Sequence, residues 1–212
     1  MKEKLWKKIL VLIAGLTIAH LGVTFFIQAD LGTDPFNVLV QGIFRSVPWP
    51  DAFGWSHGRT HMLISFLIIG ILLWADRAYV KIGTVICMVL GGPIIDMFTA
   101  LLGGVINNSL AMPVRIGVLI AGCIILAFGM TIVIKSEAGT GPNDLVAIVI
   151  SDKSRKPFGI VRILTDVCFV AVGFFLGGTF GIGTIICAFL VGPVAQFFMP
   201  YSEKLCRKVI GV

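Results

Sequence analysis

Apolar runs recur along the whole chain, and the polar residues collect in the short joints between them. The long runs fall at about 10–29, 61–74 extended by a few residues, 82–105, 116–134, 160–176 and 182–200, and each reads as a transmembrane helix. Two shorter segments, 35–47 and 142–151, are also helical in pattern. At 1.5 Å rise per residue they reach only about 20 Å and 15 Å, against a hydrocarbon core of roughly 30 Å. They therefore read as half-helices or re-entrant segments. The fold class this predicts is an all-α polytopic membrane protein.

The pattern also repeats. Residues Val11 to Pro35 align without a gap on Val118 to Pro142, and Ile82 to Phe98 align on Ile182 to Phe198. Chains with such internal symmetry are typical of membrane transporters built from two structural repeats. The expectation is one membrane domain over residues 1–212, with repeat one at about 8–105 and repeat two at about 115–202. Each repeat would hold three long transmembrane helices and one short helix.

Each short helix opens with the same device: Gly32, Thr33, Asp34 and Pro35 in the first half, Gly139, Thr140, Gly141 and Pro142 in the second. Proline at the first helical position gives up no needed donor, and Thr33, Asp34 or Thr140 can cap the exposed amides. Inside a bilayer, non-helical backbone is tolerated only where protein or a water-filled cavity surrounds it. Helix starts at membrane depth would therefore mark a cavity.

Composition agrees with this. The 212 residues are 57% hydrophobic and 13% charged, with a mean hydropathy of +1.00, which excludes a soluble core. The net charge of +6 sits in short clusters beside apolar spans, with no basic face and no interleaved stacking aromatics, so no nucleic-acid partner is expected. The clusters at Lys2, Lys4, Lys7 and Lys8, at Lys153, Arg155, Lys156 and Arg162, and at Lys204, Arg207 and Lys208 orient the chain with both termini cytoplasmic. Six spans with non-crossing short helices make the repeats inverted, and eight spans make them parallel. Charge favours neither, and the brevity of the short helices favours inversion. The basic, apolar N-terminus lacks a small-x-small cleavage site and reads as a retained helix. The five cysteines have no CxxC spacing and read as packing residues, and Trp6, Trp49, Trp55 and Trp74 fall near span ends like an aromatic belt.

Polar residues inside apolar spans are costly and therefore are functional candidates. Asp96 follows Gly91, Gly92 and Pro93, where a kink would free carbonyls, and its aligned partner is Gln196, after Gly192 and Pro193. The simpler reading of both is a packing hydrogen bond to a neighbouring helix. Asp34, Asn37, Asn143 and Asp144 lie at the short-helix starts, where acids complement the helix dipole and spare amides could hold a small polar ligand. Acids at these starts disfavour an anion, so a neutral, cationic or proton-carrying ligand fits better. Arg162 and Asp166 are four residues apart and read as a structural ion pair. His20, in the middle of the first span, could titrate near neutrality, or simply bond a backbone carbonyl. No HExxH, GxSxG or GxxxxGK[ST] motif is present, and neither an enzyme nor a bound metal or cofactor is expected.

The stretches GTGPNDL, VRILTD and FLGGTFGIGTIICAFLVGPVAQ, with LGTDPFNVLVQGI in the first half, resemble the bacterial YczE/YyaS group of integral membrane proteins, often grouped with YitT. The resemblance covers essentially the whole chain and implies a bacterial cytoplasmic-membrane location. It implies an arginine where this chain has Asn143, and an arginine followed four residues later by an acid, as Arg162 and Asp166 stand here. It names no substrate. The functional expectation is a small-molecule permease or exporter working by alternating access of two repeats in the lipid bilayer. The alternative is a non-transporting scaffold or accessory subunit of another membrane or biosynthetic protein. The small size is compatible with a homodimer.

Overall fold

The computed structural model describes residues 2–49, 54–107, 109–156 and 158–211. Among these it forms eight α-helices, one 3-10 turn and no strand: α1 (Lys2–Ala29), α2 (Pro35–Ser46), α3 (His57–Ala75), α4 (Ile82–Leu102), α5 (Met112–Lys135), α6 (Pro142–Ser154), α7 (Phe158–Phe175) and α8 (Ile182–Ile210), with the turn at Arg77–Tyr79. Five helices, α1, α3, α4, α5 and α8, are long and apolar enough to cross a membrane. The sixth expected span, α7, has 18 residues, of which Ile163–Phe175 form a shorter apolar stretch.

Local chemistry sets the helix boundaries. Asp34 caps α2, its carboxylate accepting from the Asn37 amide at 3.3 Å, and Pro35 takes the first helical position. The corresponding start of α6 differs: Gly141 is the N-cap and makes no side-chain bond, so Thr140 does not cap it. Ser56 caps α3 through the Arg59 amide at 3.1 Å, which starts that helix at His57, ahead of its apolar run. Pro93 lies within α4 and Pro193 within α8, so both helices continue through these prolines, and α8 also runs past Pro200, the expected end of its span, to Ile210. The chain leaves α1 and α5 through left-handed residues, Asp30 (φ 48°) then Gly32 (φ 107°), and Glu137 (φ 58°) then Gly139 (φ 155°).

The molecule is organised around the crossing of α1 and α5, which run antiparallel. A methyl group on Gly22 would lie 2.6 Å from the Gly122 oxygen, and one on Gly129 would lie 2.6 Å from the Gly15 oxygen. Such backbone proximity is available only to small residues, and it drives helix association where lipid removes the hydrophobic incentive. Helix α4 packs beside α1 and α8 beside α5; α3 lies along α4, and α2 crosses to α7. One buried cluster joins Leu12, Leu16, Cys87, Val133 and Ala138, and a second joins Phe26, Leu31, Leu119, Cys123 and Cys187. Four of the five cysteines are buried and all are free, as packing residues would be, while Cys168 is exposed.

The tryptophans divide into two kinds. Trp6 and Trp74 are exposed, Trp74 almost completely at 91%, as belt residues are. Trp49 and Trp55, between α2 and α3, instead stack on each other at 4.4 Å, with Trp55 Nε1 donating to Thr60 Oγ1 at 2.8 Å.

Candidate functional site

Helix α2 has 12 residues. Its last turn is tied to the end of α1 and the loop before α8: Arg45 donates to the Gly177 carbonyl at 3.1 Å and to Thr179 Oγ1 at 2.8 Å, and lies 3.8 Å from Asp30. Its first turn points the other way. Phe36 is buried edge-on against His61 of α3 and Phe169 of α7, at centroid distances of 5.2 and 5.7 Å. His61 in turn meets His20 of α1 edge-on at 5.6 Å. His20 is mid-helix, so the start of α2 lies deep among the long helices.

A chain of polar contacts runs from that start to α4. Thr33 Oγ1 donates to Asp34 at 3.4 Å, and Asn37 Nδ2 donates to Asp34 Oδ2 at 2.8 Å. His57 Nε2 is 3.1 Å from Asn37 Oδ1; an amide oxygen only accepts, so this nitrogen carries the proton. One residue on, the Gly58 amide donates to Asp96 Oδ1 at 2.9 Å, and Ser56 Oγ donates to Asp96 Oδ2 at 2.5 Å. Asp96 thus neutralises the amide-rich start of α3, so its carboxylate has a structural task. The arrangement depends on close approach, since a methyl on Gly92 would sit 2.2 Å from the Gly58 oxygen.

Three of the expected binding residues, Asp34, Asn37 and Asp96, therefore share one network through the start of α3. Asn143 and Asp144 are half-buried at the start of α6, with Asp144 within electrostatic reach of Cys87 on α4. Gln196 is exposed on α8 and takes no part in the network. Asp166 has a partner, and the Arg162 side chain lies outside the described residues, so the Arg162–Asp166 pair is not described.

The sequence reading missed His57, His61 and Ser56. One signal was available: the chain has three histidines, two of them spaced i,i+4, and all three lie in this region. Among the described residues no three His, Cys, Asp or Glu side chains are grouped to hold a metal ion. Glu137, beyond the end of α5, lies 2.6 Å from the Lys8 ammonium of α1, which holds its carboxyl below the ordinary range. A hydrogen bond to Asp152 pushes the Tyr79 hydroxyl up.

A family model described as "Family of unknown function (DUF6198)" matches residues 6–200. The chain is 29% identical over 219 residues to YczE, an uncharacterized membrane protein of Bacillus subtilis (strain 168), covering all of this chain and 94% of that one. It is 27% identical to an uncharacterized protein of Haemophilus influenzae, over 94% of this chain and 87% of that one. It is 26% identical to YyaS of Bacillus subtilis, over 90% and 91%. No solved structure matches. Together with the five apolar helices, these likenesses make the chain a membrane protein and bear out the YczE/YyaS resemblance.

Proposed function

The chain belongs to the DUF6198 family of unknown function, and from that premise we propose that it is a small-molecule permease or exporter of the bacterial cytoplasmic membrane, working by alternating access of two inverted repeats. Aligned positions support the repeats. Leu12, Leu16, Cys87, Val133 and Ala138 of one buried cluster align with Leu119, Cys123, Cys187, Phe26 and Leu31, which are the members of the other. The Gly83 amide donates to the Ala138 carbonyl at 3.0 Å, and its aligned mate Gly183 donates to Leu31 at 2.8 Å. Lys8 pairs with Glu137, and the aligned Arg115 bonds the Asp30 carbonyl at 2.9 Å. Because α1 and its counterpart α5 are antiparallel, repeats so related are inverted, and α2 and α6 enter from opposite faces. The basic clusters support cytoplasmic termini.

One observation carries the transport reading: the two halves agree around the crossing and differ at their outer helices. Helix α3 lies along α4, with Gly92 against Gly58 and Asp96 bonded at the α3 start. Helix α7, the counterpart of α3, makes at most marginal contact with α8; a methyl on Gly192 would meet nothing within 4 Å, and Gln196 is exposed. With the termini inside, the closed seam is on the outer half and the open seam on the inner half, an inward-facing arrangement. Exchanging the two seams between the repeats gives the outward-facing one. The start of α2, with Asp34 and Asn37, is the proposed ligand contact, for a small neutral or cationic solute.

The test is disulfide trapping across the open seam. In a cysteine-free background, Gly159→Cys with Gln196→Cys should cross-link on mild oxidation in membranes. The cross-link should also make a third cysteine at Ser56 accessible to an impermeant thiol reagent from outside. A rigid scaffold would give neither.

A further inference from the structure

His20 and His61 face each other across Gly91. A side-chain carbon placed on Gly91 would lie 3.0 Å from His20 Nε2 and 3.5 Å from His61 Nδ1, so both nitrogens converge on the space a larger residue would fill. Both side chains are more than nine-tenths enclosed, at 9% and 6% exposed. His20 Nδ1 is 2.9 Å from the Leu16 carbonyl, which can only accept, so Nδ1 carries the proton and the neutral ring keeps a lone pair on Nε2. Among the described residues His61 Nδ1 has no hydrogen-bond partner. An orphaned buried polar nitrogen is costly, and His61 Nδ1 is one, with His20 Nε2 close to the same point beside Gly91.

We propose that His20 and His61 form a proton-binding pair, in which a proton taken up at His20 Nε2 or at His61 Nδ1 lowers the basicity of the other ring across Gly91. Binding adds one proton and one positive charge, and breaks no bond. A metal ion fits less well, because tetrahedral N/S sites need three or four protein ligands and no such group is present among the described residues. The titratable and charged groups on the surrounding elements include His57 and Arg59 on α3, Asp34 at the start of α2 and Arg45 in its last turn, Cys87 and Asp96 on α4, Asp144 at the start of α6, and Asp166 and Cys168 on α7; the charged side chains of α1 and α5 lie near the helix ends, up to Lys8 and at Arg115 and Lys135. Asp34 is engaged by Thr33 and Asn37, and Asp96 by Ser56 and Gly58. The pair as a proton site stands on this geometry alone. Its use as the coupling ion of transport rests on the permease reading.

The chain has only three histidines, which makes the test direct. The full-length protein, labelled with 15N in its imidazole rings and held in lipid nanodiscs, is titrated while the ring nitrogen signals are followed. Coupled groups do not titrate independently, so His61→Asn should move the His20 midpoint by about a pH unit or more, and His20→Asn should move that of His61. His57→Asn serves as the comparison and should move both much less. Gly91→Ala places a methyl between the nitrogens and should weaken the coupling; if that variant does not fold, the histidine variants decide. Independent titration of His20 and His61 overturns the proposal, and so does stoichiometric binding of added ZnCl2 that perturbs both rings at neutral pH. Because no solute is present, the result is separate from that of the cross-linking test of transport.

Discussion

At the scale of single residues, the carboxylate of Asp96 has a defined workload: two donors at the start of α3, from Ser56 and Gly58. Asp96→Asn removes the charge and sets an NH2 group against one of those donors. The expected cost is about 1–3 kcal/mol, read as a lower melting temperature in detergent, whereas Gln196→Ala on the exposed face of α8 should stay within about 0.5 kcal/mol. The Lys8–Glu137 pair gives a pH-dependent counterpart. Its depressed carboxyl stabilises the fold above the ordinary glutamate range, and that contribution is lost as pH falls through the lowered value. The melting difference between the native protein and Lys8→Ala should therefore shrink on acidification. It should be small throughout, because the Glu137 side chain is 72% exposed. Asp96 was legible as a candidate because charge inside an apolar span is costly wherever it occurs, and Asp34 and Asn37 because they stand at the start of a short helix. His57 and His61 were not, since histidine at a helix start is unremarkable until the fold brings His20 from 41 positions away in sequence to meet it.

At the scale of elements, the starts of the short helices and the cap of α2 were written in the chain; the uncapped start of α6, its extension to Ser154 and the close crossings were not. Pro35 and Pro142 announced the starts of α2 and α6, and Asp34 caps as its chemistry suggests. The direction of α2, its first turn deep among the long helices and Arg45 returned to the end of α1, depends on tertiary contacts to Gly177 and Thr179 that no local pattern encodes. Twenty-five glycines likewise say that helices approach closely without saying which ones do. The structure separates them. A side chain on Gly129 would collide with the Ala19 amide at 2.2 Å, while one on Gly117, on the same helix, would meet nothing within 4 Å. Gly129→Val should thus destabilise by about 1–3 kcal/mol or prevent recovery of a monodisperse protein, by the usual cost of overpacking. Gly117→Val should purify and melt like the native protein. Equal behaviour of the two would mean that α1 and α5 do not cross at this point.

At the scale of the whole molecule, the alignment of one half on the other was legible from the outset, yet the relative orientation of the halves was not, because inverted and parallel arrangements balance the basic clusters equally well. Antiparallel packing of α1 on α5 favours the inverted arrangement proposed above. On that proposal α1 and α5 cross in opposite directions, which puts the linker between α4 and α5 on the face opposite the N-terminus. A single cysteine at Asn107 in a cysteine-free background should react with an impermeant thiol reagent added to intact cells, and one at Ser154, just before the cluster at Arg155 and Lys156, should react only after the membrane is opened. Protection of Asn107 would put the ends of α4 and the N-terminus on one face, which would set α1 and α5 parallel. The matched pairs Gly83 to Ala138 and Gly183 to Leu31 would then fall at a single face and lose their two-fold relation. A closed outer seam beside an open inner one has meaning for transport only when the two halves are inverted, so this labelling pattern is the condition on which the exchange of seams depends.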